Sequence, residues 1–377
     1  MCLGILASTA LIPKRTKNKK NNEGNMCKII FLLIAFLSES FSSDASLNVY
    51  AIYDPSKVGE VAMVTAVINE IALTHPTAQI TKKPNANFHD LDLADPSVII
   101  TAGQFGINFI KSDTIPTHVK VLLCTHQWFD SMNGLHNVSI TMPEHAITES
   151  IQTSAHTNNL TLLPTQGVLH TMSAEVLVEE DTSVIHLHAA KVGVILGGDA
   201  ETPAGAWQVF SVENARKLAS EVAELHRSAG YKILITNGPR TGRSATAHKT
   251  EELDVVSAAF LSVLHEAGLK EGTDFEFFNF QFGKPSALKA VMKVVLNNKG
   301  FMIVPGESTS SISEILAVMP ASIYAHDAMN EQHRAFVEKL TRSHSTALWP
   351  LVPDQALMEA YVPLPSEAVN VVAAFLK

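Results

Sequence analysis

Short apolar runs alternate with longer amphipathic stretches along most of the chain. The runs at 47–53, 96–103 and 119–125 have the length and composition of buried strands, and residues 61–73, after a turn at 54–60, place apolar side chains at helical spacing. The same alternation restarts at 191–196. Strands that alternate with helices pair in parallel and are joined by right-handed crossovers. The pattern therefore predicts an α/β protein with two units of the same kind.

The remaining elements and the domain limits follow from the same pattern. Further strands are predicted at 78–82, 137–142, 160–163, 231–236, 275–280, 301–304 and 321–324. Further helices are predicted at 104–110, 212–229, 253–267, 285–296, 330–340 and 365–376. The predicted domains are a targeting segment (1–45), an N-terminal domain (46–186), a C-terminal domain (187–345), and a tail that packs back on the N-terminal domain (346–377).

The first 45 residues differ in composition from the rest. A cluster of basic residues precedes the apolar run 29–37, and a serine-rich stretch ends at Ala45. A basic region, a short apolar core and small residues at a cleavage point are typical of a secretory signal. The sequence therefore predicts export, with Met26 as an alternative start, or a cytoplasmic protein if the signal is not used. An uncleaved hydrophobic arm is the other interpretation.

The length indicates the number of domains, and the charge argues against one class of partner. A chain of 377 residues exceeds what one core usually supports, so two domains are expected. The formal net charge is −9 and the sequence contains no large basic patch in its predicted domains. We therefore expect no nucleic-acid partner, because nucleic-acid-binding domains carry a basic surface.

The stretch 301–316 has the strongest chemical signal. An apolar run is stopped by Pro305 and Gly306, and a series of hydroxyl residues then opens a segment with helical spacing. Free amides at a helix start, together with the helix dipole, favour an anion such as a diphosphate. Glu314 lies about one turn into the helix, where its carboxylate can accept hydrogen bonds from a ribose. The alternative is that Ser310 or Ser311 only caps the helix and Glu314 closes a capping box.

These residues carry a resemblance to a known family. Residues 307–314 match the motif Asp-Ser-Val-Ser-Met-x-Ser-Glu of the ELM1-like mitochondrial fission family, with Glu307 in place of the Asp. Weaker matches are the early Gly-Asp-Glu loop at 59–60, the Gly-Ala-Leu-His segment at 167–170, the Gly-Gly pair at 197–198 and part of a paired-Arg loop at 237–242. The resemblance implies a divergent GT-B fold, in which two Rossmann-like domains face each other across a cleft.

The resemblance also implies a nucleotide diphosphate bound in the second domain. Gly197 and Gly198 would let the backbone approach the ligand, and Arg240 or Arg243 would neutralise the leaving diphosphate. The complete set of candidate binding residues is Gly197, Gly198, Arg240, Thr241, Glu307, Ser308, Ser310, Ser311 and Glu314.

The first domain is expected to supply a general base from a strand end that faces the cleft. Glu60 and His126 are the candidate catalytic residues. The alternatives are that Glu60 only stabilises a helix start and that His126 is a structural histidine. No histidine spacing typical of a zinc site is present, so no metal and no cofactor are expected, and a nucleotide sugar would be the substrate.

Three functions are compatible with this sequence. The first is a metal-independent GT-B-type glycosyltransferase that binds a nucleotide sugar or another phosphorylated small molecule. The second is a non-catalytic interaction protein of the same family, with peripheral membrane association. The third is a secreted two-lobed ligand-binding protein. The sequence predicts no particular oligomeric state.

Overall fold

The computed structural model describes residues 47–93, 97–112, 114–128, 130–201, 206–242, 252–343, 346–353, 355–359 and 361–377. The signal segment predicted at 1–45 lies outside the described residues, and so does Arg243. Among the helices in the described ranges, none is long and apolar enough to cross a membrane.

The first lobe is built on a six-stranded parallel sheet with strand order β2-β1-β3-β4-β5-β6. Its strands are β1 (Asn48–Ile52), β2 (Gln79–Lys82), β3 (Ser97–Ala102), β4 (Val119–Cys124), β5 (Ser139–Pro143) and β6 (Thr161–Thr165). Its helices are α1 (Val58–Thr74), α2 (Gly103–Lys111) and α3 (Glu149–Thr157). Every residue of β3 is buried, as expected for a central strand covered on both faces.

The second lobe repeats the architecture with the order β11-β10-β7-β12-β13-β14, again parallel. Its strands are β7 (Val192–Ile195), β10 (Ile233–Thr236), β11 (Phe275–Phe278), β12 (Phe301–Pro305), β13 (Ala321–Tyr324) and β14 (Thr346–Leu348), with a separate antiparallel pair, β8 (Ala200–Glu201) and β9 (Trp207–Gln208). The helices are α4 (Ala174–Val178), α5 (Val212–Ala229), α6 (Val255–Glu266), α7 (Leu288–Asn297), α8 (Thr309–Leu316), α9 (Glu331–Ser343) and α10 (Gln355–Glu359).

The α/β class with two Rossmann-like lobes in a GT-B-like arrangement is confirmed. The second sheet has the strand order 3-2-1-4-5-6 of a dinucleotide-binding domain, and the first has the 2-1-3-4-5 order of a flavodoxin-like sheet with one further strand. The pattern missed the helices α3, α4 and α10 and the short strands β8, β9 and β14. In α3 only Ile151 and Ala155 are buried, so its amphipathic signal is weak.

The chain passes between the lobes twice. It leaves the first lobe after β6, and it returns after α10 to end in α11 (Ala368–Phe375), which packs on α1. Val371, Val372 and Phe375 of α11 belong to the same buried cluster as the α1 core. The two passages are hydrogen-bonded to each other, since the Gln166 N–H donates to the Glu367 carboxylate and the His170 N–H donates to Ser366 Oγ.

Candidate functional site

Ligands of open parallel sheets bind beyond the carboxyl ends of the strands, at the point where the strand order reverses. This point lies between β7 and β12 in the second lobe, and between β1 and β3 in the first. Candidate residues from the sequence fall at both points. The pair 197–198 follows β7, residues 307–311 follow β12, and Glu60 lies in the helix after β1.

Helix α8 begins at Thr309 with its backbone amides available. The residue before it, Ser308, occupies the N-cap position but makes no side-chain cap hydrogen bond. Its hydroxyl donates instead to Ser311 Oγ, at 2.9 Å. The alternative in which Ser310 or Ser311 caps the helix is therefore wrong, because both lie inside α8. Ser308, Ser310 and Ser311 are half-buried, so the residues 308–311, here called the α8 start, keep partial access.

The α8 start faces the first lobe. A Cβ atom added to Gly59, in the first turn of α1, would lie 3.3 Å from Ser310 Oγ. The N-cap of α1, Lys57, also makes no side-chain cap hydrogen bond. Two helix N-termini, one from each lobe, thus approach each other, and both carry partial positive charge.

Glu314 lies one turn further along α8 and is half-buried. Burial raises its pKa to about 7, against the opposing charge of Lys289 on α7. At neutral pH both protonation states are populated, so the carboxyl group can donate or accept a hydrogen bond.

The two glycines after β7 are required by protein contacts. A Cβ on Gly197 would lie 2.7 Å from the Phe210 ring, and a Cβ on Gly198 would lie 2.8 Å from Arg240 Cβ. Thr241 is buried and shapes the neighbouring loop. Its hydroxyl accepts the Gly238 N–H at 3.0 Å and donates to the Leu196 carbonyl at 3.3 Å. Ligand contact by these residues stays a prediction.

Glu307 is fully enclosed at the base of the α8 start. Its Oε1 accepts the Gly198 N–H at 2.7 Å, and its Oε2 is hydrogen-bonded to His326 Nε2. Burial alone would raise the pKa of this carboxyl, but the hydrogen bond from His326, the Arg240 charge and the Gly198 N–H together hold it below its ordinary value. Both carboxylate oxygens are engaged by protein donors. His326 gave no sequence signal, because it follows a different strand.

Arg240 is half-buried beside these groups. Its positive charge lowers the pKa values of Glu307, His126 and His333, which places it between the two lobes. Among the described residues it forms no ion pair with a carboxylate. A partly buried cation without a carboxylate partner is suited to binding an anionic ligand.

Glu60 lies at the switch point of the first lobe. Its carboxyl group covers the backbone of Gly103, where an added Cβ would meet it at 2.0 Å. Its Oε2 is buried and makes no hydrogen bond within the described structure. Burial raises the pKa of Glu60 to about 7, with Lys57 opposing the shift and Asp54 adding to it.

His126, which follows β4, belongs to a cluster that sequence reasoning missed. Burial, Arg240 and His333 lower its pKa to about 4. His145 of the short helical turn Glu144–Ala146 stacks on Phe336 of α9, with ring centroids 4.3 Å apart. His333 lowers the pKa values of His126 and His145, and these three histidines, which come from both lobes, are here called the histidine seam. No local motif reveals it, because its members come from three separate elements.

Solved structures of low sequence identity cover most of the chain. UDP-GlcNAc 2-epimerase from Neisseria meningitidis, bound to UDP-GlcNAc, is 9% identical, with 87% of this chain and 98% of that chain covered and a TM-score of 0.48. UGT71G1 from Medicago truncatula, complexed with UDP-glucose, is 10% identical, with 87% and 93% covered and a TM-score of 0.41. A ugt transferase from Siraitia grosvenorii, in complex with UDP, is 9% identical, with 88% and 91% covered and a TM-score of 0.44.

No curated protein matches the sequence significantly. The family described as Mitochondrial fission ELM1 matches residues 74–267, which is more than half of the 377 residues. The resemblance read from the motifs is thereby confirmed. The chain belongs to the mitochondrial fission ELM1 family.

Proposed function

We propose that the protein binds a nucleotide-activated sugar between its lobes and transfers the sugar to an acceptor hydroxyl without a metal ion. The observation that carries this proposal is the α8 start, whose half-buried serines and uncapped amides face the first lobe at the switch point of the second. A diphosphate placed there would meet backbone N–H groups, hydroxyls and the positive end of the helix dipole.

Arg240 supplies the positive charge in this proposal. The bond between the sugar carbon and the diphosphate oxygen breaks with its electron pair on the diphosphate, so negative charge grows on the leaving group. A fixed cation and oriented amides stabilise that charge in a site shielded from water. They would take the role that a divalent cation has in other transferases.

The first lobe supplies the base. The acceptor oxygen forms a bond to the sugar carbon and loses its proton to a basic side chain. A base works best when its pKa lies near the working pH. Glu60, with a pKa raised to about 7, meets this condition more closely than His126, with a pKa lowered to about 4. His126, near Arg240, is better placed to hydrogen-bond the leaving diphosphate.

The test is binding of UDP, GDP and their sugar conjugates, measured by calorimetry with and without EDTA. We expect at least one nucleotide to bind in both conditions. Arg240→Ala should weaken it by about tenfold to a hundredfold, the loss typical of one charge-assisted contact. Arg216→Ala, an exposed cation on α5, is the matched control and should change nothing.

Two outcomes would replace this proposal. Binding of inorganic phosphate or free sugar without any nucleotide would favour a two-lobed ligand-binding protein. No binding of any compound, by a protein shown to be folded, would favour a non-catalytic interaction protein of the ELM1 family.

A further inference from the structure

Loops from four strands of the second lobe meet at one buried carboxylate. Glu307 follows β12 and His326 follows β13, and their side chains are each 1% exposed. Gly198 follows β7 and donates its N–H to Glu307. Arg240, in the loop after β10, packs its backbone against Gly198. A group enclosed to this degree cannot reach a ligand in the cleft, yet it is hydrogen-bonded to the loops that follow β7 and β13.

The hydrogen bonds define the proton on His326. Its Nδ1 accepts the Ala328 N–H at 3.2 Å, so Nδ1 carries no proton. Nε2 therefore carries the proton and donates it to Glu307 Oε2. Phe210 packs edge-on against the ring, with centroids 4.8 Å apart at 78°, and holds its orientation. The carboxylate is thus ionised and accepts from two fixed donors.

This network reaches Arg240 through the backbone. The Asp199 N–H donates to the Arg240 carbonyl at 3.1 Å, and a Cβ on Gly198 would lie 2.8 Å from Arg240 Cβ. Any shift of the Gly198 loop is therefore transmitted to Arg240. The loop in turn is held by the charge-assisted bond from Gly198 to Glu307, a type roughly twice as strong as a neutral hydrogen bond.

We propose that Glu307 and His326 are positioning residues that hold the Gly198 loop and, through it, keep Arg240 beside the α8 start. Glu307 itself makes no contact with the bound anion. This inference rests on the proposed function for its binding readout. It changes the role of Glu307, which the family motif had placed among the binding residues.

Glu307→Gln is the sharpest test because it removes the charge with little change in shape. A glutamine can accept the Gly198 N–H through its oxygen, but its NH₂ group then faces the His326 N–H. The clash between two donors is relieved if His326 moves its proton to Nδ1, where it meets the Ala328 N–H, or if the amide turns its oxygen to His326 and gives up the Gly198 bond. In either case one hydrogen bond of this network is lost, either the bond from Ala328 to His326 or the bond from Gly198 to residue 307.

Two measurements apply to the protein without ligand. Nitrogen-15 spectra of the histidine rings in the wild type should show His326 as the Nε2–H tautomer. The Gly198 amide should be shifted downfield and strongly protected from exchange, and Glu307→Gln should remove at least one of these two features. A His326 ring protonated on Nδ1 in the wild type would overturn the inference even if the variant did not fold.

The binding measurement separates positioning from contact. Glu307→Gln should weaken the tightest-binding nucleotide by about tenfold, as loss of a supporting shell commonly does. The double variant with Arg240→Ala should bind no more weakly than Arg240→Ala alone, because Glu307 acts through Arg240. Additive losses would overturn the inference. Val222→Ala, a core change in α5 away from these loops, controls for lowered stability and should leave affinity unchanged.

The two proposals fail separately. If the wild type binds no nucleotide, the proposed function is lost and the inference is decided by the His326 and Gly198 signals alone. If nucleotides bind and Glu307→Gln has full affinity, the positioning role is lost and the proposed function stands.

Discussion

Gly59 in the first lobe lies against Ser310 in the second, where even a Cβ atom would make a tight contact. A Cβ on Gly59 would stand 3.3 Å from Ser310 Oγ, closer than most such contacts. The two residues belong to the first turns of α1 and α8, so this contact sets how closely two helix N-termini approach.

A larger side chain at Gly59 should hold the lobes apart. Gly59→Leu is expected to leave each lobe folded but to weaken nucleotide binding by about tenfold or more, because a site displaced by about 1 Å loses much of its geometry. Calorimetry measures the loss. Val58→Leu, at the neighbouring position that is 55% exposed, should bind normally. Full affinity in Gly59→Leu would show that the first lobe does not close on the ligand.

Glu60 should make the free energy of unfolding fall as the pH rises from about 4.5 to about 7. Its pKa is raised in the folded protein from 4.5 to about 7. The stabilising contribution of the proton is complete below pH 4.5 and is lost as the pH rises through 7. Glu60→Gln should therefore exceed the wild type in free energy of unfolding by about 1 to 3 kcal/mol at pH 8. The difference should shrink towards pH 5 in urea titrations, and Glu179→Gln, an exposed acid, should show no such trend.

The histidine seam should have the opposite effect, so that the free energy of unfolding falls as the pH is lowered. The pKa of His145 is lowered from 6.5 to about 3, chiefly by burial, with Lys339, His333 and His126 adding to the shift. Stability is therefore complete above pH 6.5 and is lost as the pH falls towards 3. At pH 5 this residue should cost about 1 to 2 kcal/mol.

His145→Phe tests that dependence directly, since it keeps an aromatic ring against Phe336 and removes the titrating group. Its Tm should fall less than that of the wild type between pH 7 and pH 5. His156→Phe, on the exposed face of α3, should behave as the wild type. Glu144 forms an ion pair with Lys339 at the same boundary and is unchanged in all three proteins. Equal slopes for all three proteins would contradict the prediction.

Ser313 connects α8 to the first passage between the lobes. Its hydroxyl donates to the Thr309 carbonyl at 2.8 Å and accepts the Val168 N–H at 3.0 Å. Ser313→Ala leaves that buried N–H without an acceptor, which should cost about 1 to 3 kcal/mol in the free energy of unfolding. Ser220→Ala, whose hydroxyl bonds a carbonyl on the exposed side of α5, should cost less than about 0.5 kcal/mol. Urea denaturation of both variants provides the comparison.

The fold could be predicted from the sequence wherever local signals agree. Helix α5 was predicted with both ends correct, because Ser211 caps it by accepting the Asn214 N–H and Gly230 ends it with a left-handed φ of 67°. Strand β13 was also predicted in full, since all of its residues are buried and the apolar run is continuous. These signals depend only on neighbours along the chain.

Only part of the site could be predicted from the sequence, because several of its contacts join residues that are far apart along the chain. The stretch 301–316 could be predicted as a strand, a turn and a helix in succession. The partners of Glu307 could not be predicted, because Gly198 and His326 follow other strands of the sheet. The stacking of His145 on Phe336 joins residues from different lobes, and no periodic pattern encodes such a contact.

The two chain passages between the lobes run side by side and are bonded through Gln166 to Glu367 and through His170 to Ser366. The lobes are therefore connected at a place where two segments of the chain are themselves hydrogen-bonded to each other. Sliding and twisting are resisted, because either would have to break the bonds between the passages. The hydrogen bonds between the passages thus help to fix where Gly59 stands relative to Ser310.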